Sequence, residues 1–364
     1  MSAVLAARLE RARRLAAEAG VDGLYVTAGA NFTWLTEEVA HPGGWPLWAS
    51  VLVVPVDGEP ALVLSRMHGE IFDLDRLPVR RVFDYVDGED PAPALRAALG
   101  AAAVESGTLA ADDALWLGDA DLLATVAPQV RLRRAPAVFD RLRAVKDAVE
   151  IDHLRRAAAA HDAGYARAFE VIRPGVTVAE AGAEVVAAML AAGSGELALS
   201  GVFHHLSPRP FAAGEVVDLD LFPGSHGGYR ADTARNLFLG APSAEARRLY
   251  EATHAAYDAA MAVVRPGLPA EEVHRAAAAA MEAAGYRQVW KIGHGVGLAP
   301  IHEPPLLQAG NDELLEEGMV FTIDPGAFLA RDVPIHIEDT VLVTADGAEA
   351  LNRHPRDLDA LIVA

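Results

Sequence analysis

Cysteine is missing altogether from this sequence. Its absence removes disulfides, thiolate nucleophiles and Cys-ligated zinc, so any metal must be held by oxygen and nitrogen. Long hydrophobic runs are missing too, and nothing approaches the ~20 consecutive apolar residues of a membrane-spanning helix. The opening segment MSAVLAARLERARRLAAEAG sets Arg8, Arg11, Arg13 and Arg14 where a signal peptide needs unbroken apolar sequence. A cytoplasmic protein with no membrane partner is therefore expected. Positive charge is in short supply, with 31 basic residues against 51 acidic and a formal net charge of -20. Such a field repels phosphate backbones and argues against a nucleic-acid partner, although bound divalent cations would offset it locally. Apolar sequence, by contrast, is ample. Of the 364 residues, 52% are hydrophobic and 23% charged, the balance of a folded chain large enough for two domains.

Periodicity predicts an amphipathic helix over residues 2–19, ending at Gly20, then a strand in VDGLYVT at 21–27 and a turn at Gly29 and Asn31. ASVLVVPVDGEPALVLS, at 49–65, reads as two apolar strands around Asp57-Gly58. RLPVRRVFDYV and QVRLRRA resemble further sheet elements. Residues 1–135 are thus expected to form a small mixed α/β domain. Residues 136–364 form the second, entered through the helical run RLRAVKDAVEIDHLRRAAAAHDAGYARAFEVI, in which Arg143, Lys146 and Glu150 are spaced for one exposed face.

The second domain contains a weak internal repeat. Tyr165 and Tyr257, Arg173-Pro174-Gly175 and Arg265-Pro266-Gly267, and Gly193 and Gly285 are each 92 positions apart. Each copy reads as helix, Pro-Gly turn, helix, then strand-like sequence. Either Ala-rich helices match by chance, or two α/β halves related by a pseudo-twofold axis enclose a cleft and both supply ligands.

Three clusters carry chemistry. In VVDLDLFPGSHGGYRADTARNLF, at 216–238, strand alternation sets Asp218 and Asp220 on one side, facing either a site or a solvated edge, and Asp232 opens the next extended piece. In KIGHGVGLAPIHEPP, at 291–305, glycines flank His294, which can approach an ion uncrowded or serve as a turn histidine; His302 and Glu303 follow. EEGMVFTIDPGAF and IHIEDTVLVT place Asp324 and Glu338 in or just after apolar strands, where buried carboxylates are costly unless paired or metal-bound. Four acids and an imidazole suit two divalent ions of the Mn, Fe, Co or Zn kind.

With these motifs assembled, the chain resembles the pita-bread metallopeptidases, the family of methionine aminopeptidase, aminopeptidase P and Xaa-Pro dipeptidase. The matching segments are DLFPGSHGGYRADTAR, GHGVGLAPIHEPP, EEGMVFTIDPG and HIEDTVLVT, in the family's order. NFTWLT at 31–36 and RLRAVKDAVEIDHLRRA resemble the proline-directed branch, so the likeness covers nearly the whole chain. It implies an α/β protein in which a smaller mixed α/β domain precedes a pita-bread catalytic domain with pseudo-twofold halves. It also implies two divalent metal ions, Mn foremost, with Co or Zn as alternatives. By position, Asp220 would chelate one ion, Asp232 and Glu338 would bridge both, and His294 would bind the ion that Asp232 and Glu338 share with Asp324. His204 of GVFHHLS, with His205 as an alternative, and His302 match substrate-site histidines; Asp324 would be base and proton carrier.

The implied reaction is metal-dependent hydrolysis of the bond before proline in a dipeptide or short peptide. The enzyme would be an Xaa-Pro dipeptidase (prolidase) or, alternatively, an aminopeptidase P, assembled as a homodimer. Arg209, Arg331 and His336 are candidates for meeting the substrate's free carboxylate. Creatinase-like relatives work without metal ligands, and the retained acids and His294 weigh against that class. Three departures stand out. Asp324 occupies a position that is usually Glu, and His336 and Trp290 stand where members often have Arg and His. The Asp220 to Asp232 and His294 to His302 intervals are each one residue longer than the commoner spacing.

Overall fold

The computed structural model describes residues 3–40, 44, 46, 48–111, 114–195, 206–221, 224–299, 302–331 and 333–363. The chain divides into two compact units, residues 1–143 and 144–364. The first runs α1 (Ala3–Glu18), β1 (Gly23–Thr27), α2 (Ala30–Thr36), β2 (Val51–Pro55), β3 (Ala61–Ser65), α3 (Arg66–Ile71), β4 (Arg81–Tyr85), α4 (Ala92–Ala101), β5 (Gly107–Ala111), α5 (Leu117–Val126), β6 (Val130–Arg134) and α6 (Pro136–Leu142). Its strands make one mixed sheet in the order β4-β3-β2-β1-β5-β6. β1, β2 and β3 are buried at every position, as unbroken apolar runs require when both sheet faces are covered. β2 and β3 pair antiparallel across Asp57-Gly58, with Val51 opposite Val63, as the hairpin pattern predicts. The expected turn is present at Gly29, which leads directly into α2. Asn31 lies buried inside that helix, and its side-chain oxygen accepts a hydrogen bond from the Arg143 guanidinium. α6 packs on α1, which carries the first unit on to Arg143 rather than ending it at residue 135.

The second unit runs α7 (Ala148–Val171), α8 (Val178–Ala191), β7 (Val216–Asp220), β8 (Gly224–His226), β9 (Tyr229–Ala231), β10 (Ala234–Leu239), α9 (Ala244–Val263), α10 (Ala270–Ala283), β11 (Gly293–Gly295), β12 (Glu303–Leu307), β13 (Val320–Ile323), β14 (Gly326–Ala330), β15 (Val333–His336), β16 (Asp339–Thr344), β17 (Gly347–Ala350) and β18 (Ile362–Val363). The repeat is structural. α8 and α10 are both 14 residues long and are offset by the same interval as the sequence anchors. Thr177 and Pro269, which cap them, make equivalent bridges to Pro210 and Leu314. Gly175 and Gly267 turn each helical pair in the left-handed region, at φ 92° and 80°, where a side chain would be strained. The first half packs α7 and α8 over β7 and β10 around Tyr165, Val185 and Leu219. The second packs α9 and α10 over β11, β13 and β16 around Tyr250, Val273 and Phe321.

Two expectations about α7 are corrected. The helix starts only at Ala148, because Asp147 accepts the N–H groups of Val149 and Glu150 while the Glu150 carboxylate turns back onto the Asp147 N–H. Lys146 therefore precedes the helix, and both Lys146 and Glu150 are buried rather than aligned on an exposed face.

Further along α7, His161 is fully buried, and its Nε2 accepts the Gly224 N–H at 2.7 Å, which requires a neutral ring. Burial pushes its pKa down to about 3. Between the ordinary 6.5 and that value, the unfolded chain takes up a proton that the folded chain refuses. Stability must fall as pH drops through this window, by up to about 1.4 kcal/mol per pH unit from this group. His161→Gln keeps an acceptor but cannot ionise, so the urea midpoint is expected to decline less steeply below pH 6.5 than in the unsubstituted protein. An identical decline would assign the acid lability to other groups.

Candidate metal centre

Strand alternation builds one wall of the site. β7 turns Val217 and Leu219 into the core and sets Asp218 and Asp220, half-buried, on the opposite side. β10 pairs with β7, bringing Ala234 opposite Asp220. Ala234 also exchanges backbone hydrogen bonds with Glu338, each N–H donating to the other carbonyl at 3.1 Å. That bridge delivers Glu338, between β15 and β16, to the two aspartates. Thr340 holds the Asp232 backbone, accepting its N–H at 3.0 Å and donating to its carbonyl at 2.8 Å. His294 enters on β11, wedged between β12 and β13. A Cβ at Gly293 would stand 1.9 Å from the Thr322 carbonyl oxygen, and one at Gly295 2.2 Å from that of Pro304. Only glycine on both sides of His294 admits this approach.

Ligand atoms of Asp220, Asp232 and Glu338 lie within 4.8 Å of one another, as do those of Asp232, His294 and His302, so Asp232 belongs to both sets. They face a cavity of about 280 Å³ that Asp218, Trp290, Lys291, Asp324 and His336 also line. His294 Nε2 is 3.5 Å from both Asp232 Oδ2 and Glu338 Oε1. Its Nδ1–H donates to the Gly295 carbonyl at 3.1 Å, and burial pushes its pKa down to about 4, so Nε2 presents a lone pair at neutral pH. Three oxygen and nitrogen donors therefore converge, an arrangement that suits a cation once the two carboxylates are ionised. Among the described residues, Asp232 Oδ1 makes no hydrogen bond. Burial, and then the charges of Glu338, Asp220 and Asp324, raises the Asp232 carboxyl well above the ordinary range. Burial also pushes Asp324 and Glu338 up to about 7. Divalent cations supply the charge that such a buried acidic set lacks, and these residues fit a dinuclear site.

Residues 152–345 match the model of metallopeptidase family M24, and residues 8–145 match the creatinase/prolidase N-terminal domain. The chain belongs to metallopeptidase family M24. It is 37% identical over 372 residues to the probable dipeptidase PepE of Mycobacterium tuberculosis, covering 98% of this chain and 96% of that protein. Identity to the Xaa-Pro dipeptidase of Lactobacillus helveticus is 31% over 300 residues, 76% of this chain and 79% of that one. The crystal structure of dipeptidase PepE from Mycobacterium ulcerans superposes with a TM-score of 0.87 at 33% identity, covering 99% of this chain and 98% of that chain. The M24 chain is a metal-dependent peptidase of the proline-directed branch, and its doubled second unit is the pita-bread fold.

Within this M24 site, Asp220, Asp232, His294 and Glu338 come together as the sequence indicates. Asp324 lines the same cavity but stands outside both converging sets; its Oδ1 accepts His336 Nδ1–H at 2.9 Å and its carbonyl accepts Trp290 Nε1–H at 2.9 Å. His302 stacks on His294 with ring centres 3.6 Å apart and joins the donor set of Asp232 and His294. His204 and His205 lie outside the described residues. His336 has both nitrogens engaged, by Asp324 and by Asp218 at 2.8 Å. Burial opposes a charge there, but Asp218 and Asp324 outweigh it and raise the imidazole pKa well above its usual value. Arg209 is paired with Glu215 at 2.8 Å. Asp218 was legible as Asp220's neighbour on one strand face. Nothing local marked Lys291, whose Nζ donates to His302 Nδ1 at 2.7 Å.

Lys146, misplaced by the helical reading, supports the same site. Its Nζ lies 3.2 Å from Glu303 Oε1 in a pair almost sealed from solvent. Glu303 Oε2 accepts the Ala299 N–H at 3.3 Å, and Gly297 packs directly on that carboxylate. The pair thereby braces the loop following His294. Lys146→Met removes the buried cation and is expected to lower kcat about 10- to 100-fold, as loss of a supporting contact to a metal site does. The Lys146→Met/Glu303→Leu double variant should regain melting temperature more fully than activity. Circular dichroism melts beside steady-state rates would show this; wild-type rates in the single variant would refute the bracing role.

Proposed function

We propose that this M24 peptidase is an Xaa-Pro dipeptidase that hydrolyses the bond preceding proline. The observation that carries the reading is the pair of donor sets sharing Asp232 at one small cavity. The dipeptidase names of relatives that match nearly the full chain support the same choice.

Asp220 would hold one ion, Asp232 and Glu338 both, and His294 with Asp324 the second; Mn is the proposed metal, with Co or Zn able to replace it. Bound there, the ions would supply Lewis acidity, lowering the pKa of a water molecule and polarising the substrate carbonyl. The Asp324 carboxylate, held by His336, takes the proton from the attacking water and returns it to the proline nitrogen, which has no peptide hydrogen of its own. His302 and His204 orient the scissile carbonyl and stabilise the charge that develops on its oxygen. The net charge of -20 supports excluding nucleic acid as a partner. No helix among the described residues is long and apolar enough to cross a membrane. A homodimer is the proposed state, on the strength of the family resemblance, and the cytoplasm the proposed location.

Metal-stripped protein restored with Mn, Co or Zn should cleave Xaa-Pro in preference to matched Xaa-Pro-Xaa. A preference for the longer peptide would establish an aminopeptidase instead. No restored cleavage of either would defeat the peptidase reading.

A further inference from the structure

Only two of the chain's 31 basic residues are lysines, Lys146 and Lys291. Lys146 is sealed against Glu303. Lys291 lines the cavity, and among the described residues its Nζ makes a single hydrogen bond, to His302 Nδ1 at 2.7 Å. An ammonium has three N–H groups, so two remain for a ligand. Among the described residues, the other charged walls offer a ligand no positive group. Asp218, Asp220, Asp232, Asp324 and Glu338 are acids, and both nitrogens of His336 are already bound by carboxylates. The arginines that sequence reasoning proposed for a substrate carboxylate, Arg209 and Arg331, do not line the cavity.

We infer that Lys291 is the anchor for the free carboxylate of the substrate and thereby selects dipeptides, an assignment that rests on the Xaa-Pro reading above. In an Xaa-Pro dipeptide the carboxylate carbon is two bonds from the nitrogen of the scissile bond, so its partner must stand beside the reacting centre. Lys291 does: its Nζ donates to His302, itself a member of one donor set, whose ring stacks on His294. A longer peptide presents a neutral amide at that point and forfeits the ion pair with the ammonium, which discriminates against it. A lysine also suits the double task better than an arginine. Its compact ammonium donates in three directions and can hold His302 Nδ1 and a carboxylate oxygen together, whereas a planar guanidinium directs its donors in one plane. With Nδ1 of His302 accepting from Lys291, that ring carries its proton on Nε2.

The test compares the metal-loaded wild-type protein with Lys291→Met and Lys291→Arg on three matched substrates: Xaa-Pro, its C-terminal amide, and Xaa-Pro-Xaa. Lys291→Met is expected to lower kcat/KM for the free acid at least about 20-fold more than for the amide, mainly through KM, so that the dipeptide preference collapses; a smaller loss shared by all three substrates reports the contact to His302. Lys291→Arg should retain much of the preference. Calorimetric titration with L-proline and L-prolinamide reads the same contrast without turnover: the wild type should favour proline, and Lys291→Met should not. Equal losses on acid and amide would overturn the anchor and leave Lys291 acting only through His302. A wild type that favours the amide or the longer peptide would instead defeat the underlying dipeptidase reading, and the anchor with it.

Discussion

Asp232→Asn is expected to lower kcat/KM by at least about 1000-fold and to reduce bound metal well below two ions per chain. Asp232 is the residue common to both donor sets, so losing one anionic oxygen there weakens both positions at once. The amide is nearly isosteric and can keep the backbone hydrogen bonds to Thr340. Stability should move the other way. Without metal, Asp232 is a buried acid whose Oδ1 makes no hydrogen bond among the described residues and which faces the charges of Glu338, Asp220 and Asp324. An amide spares folding the cost of neutralising or burying that carboxylate, so metal-free Asp232→Asn should melt no lower than the metal-free wild type. Metal should then raise the wild-type melting temperature and scarcely affect the variant. At 1000 times Kd the linkage is worth about 4 kcal/mol. Elemental analysis, differential scanning calorimetry and kinetics on the same samples decide the matter. A variant that keeps two ions and its activity would remove Asp232 from the centre.

The largest expected loss of stability follows Asp339→Ala. Arg235 is wholly buried, and its guanidinium donates to Asp339 Oδ1 at 2.6 Å and to the carbonyls of Glu338 and Ala234, each at 2.8 Å. Asp339 also accepts from Arg356 Nε. Truncating Asp339 leaves Arg235 without its carboxylate in the interior, which costs about 3–5 kcal/mol and, for a unit of this size, about 10 °C in melting temperature. Activity should fall with it, because the same guanidinium fixes the backbone at Glu338. Arg235→Met/Asp339→Leu, which removes both charges, should recover most of the melting temperature. A single variant that melts within about 2 °C of the wild type would show that the buried pair contributes little.

Local sequence was informative where a short-range rule governs. The Asp57-Gly58 hairpin, the shared face of Asp218 and Asp220, and the Pro-Gly turns of the repeat all follow from turn chemistry or strand period. It failed where a distant segment supplies the partner. Lys146 and Glu150 look like one charged helix face until Asp147 caps the helix between them and Glu303 takes the lysine. Asn31 lies in a helix, its side chain bonded to Arg143 at the far end of the unit, instead of in the turn its residue type suggests. His336 is a candidate partner for the substrate carboxylate from sequence, yet Asp218 and Asp324 occupy both of its nitrogens.

The sequence by itself determined the kind of chemistry available. With no cysteine, and with acids and histidines set among glycines and apolar strands, only a hard oxygen and nitrogen centre could be built. Tertiary structure alone decided which of those groups meet. Asp232 is the shared donor because β10 pairs with β7 and bridges Glu338 through Ala234; Lys291 faces the cavity because β11 inserts between β12 and β13. The bridge from Ala234 to Glu338 joins segments far apart in the chain, and no local pattern of residues encodes it.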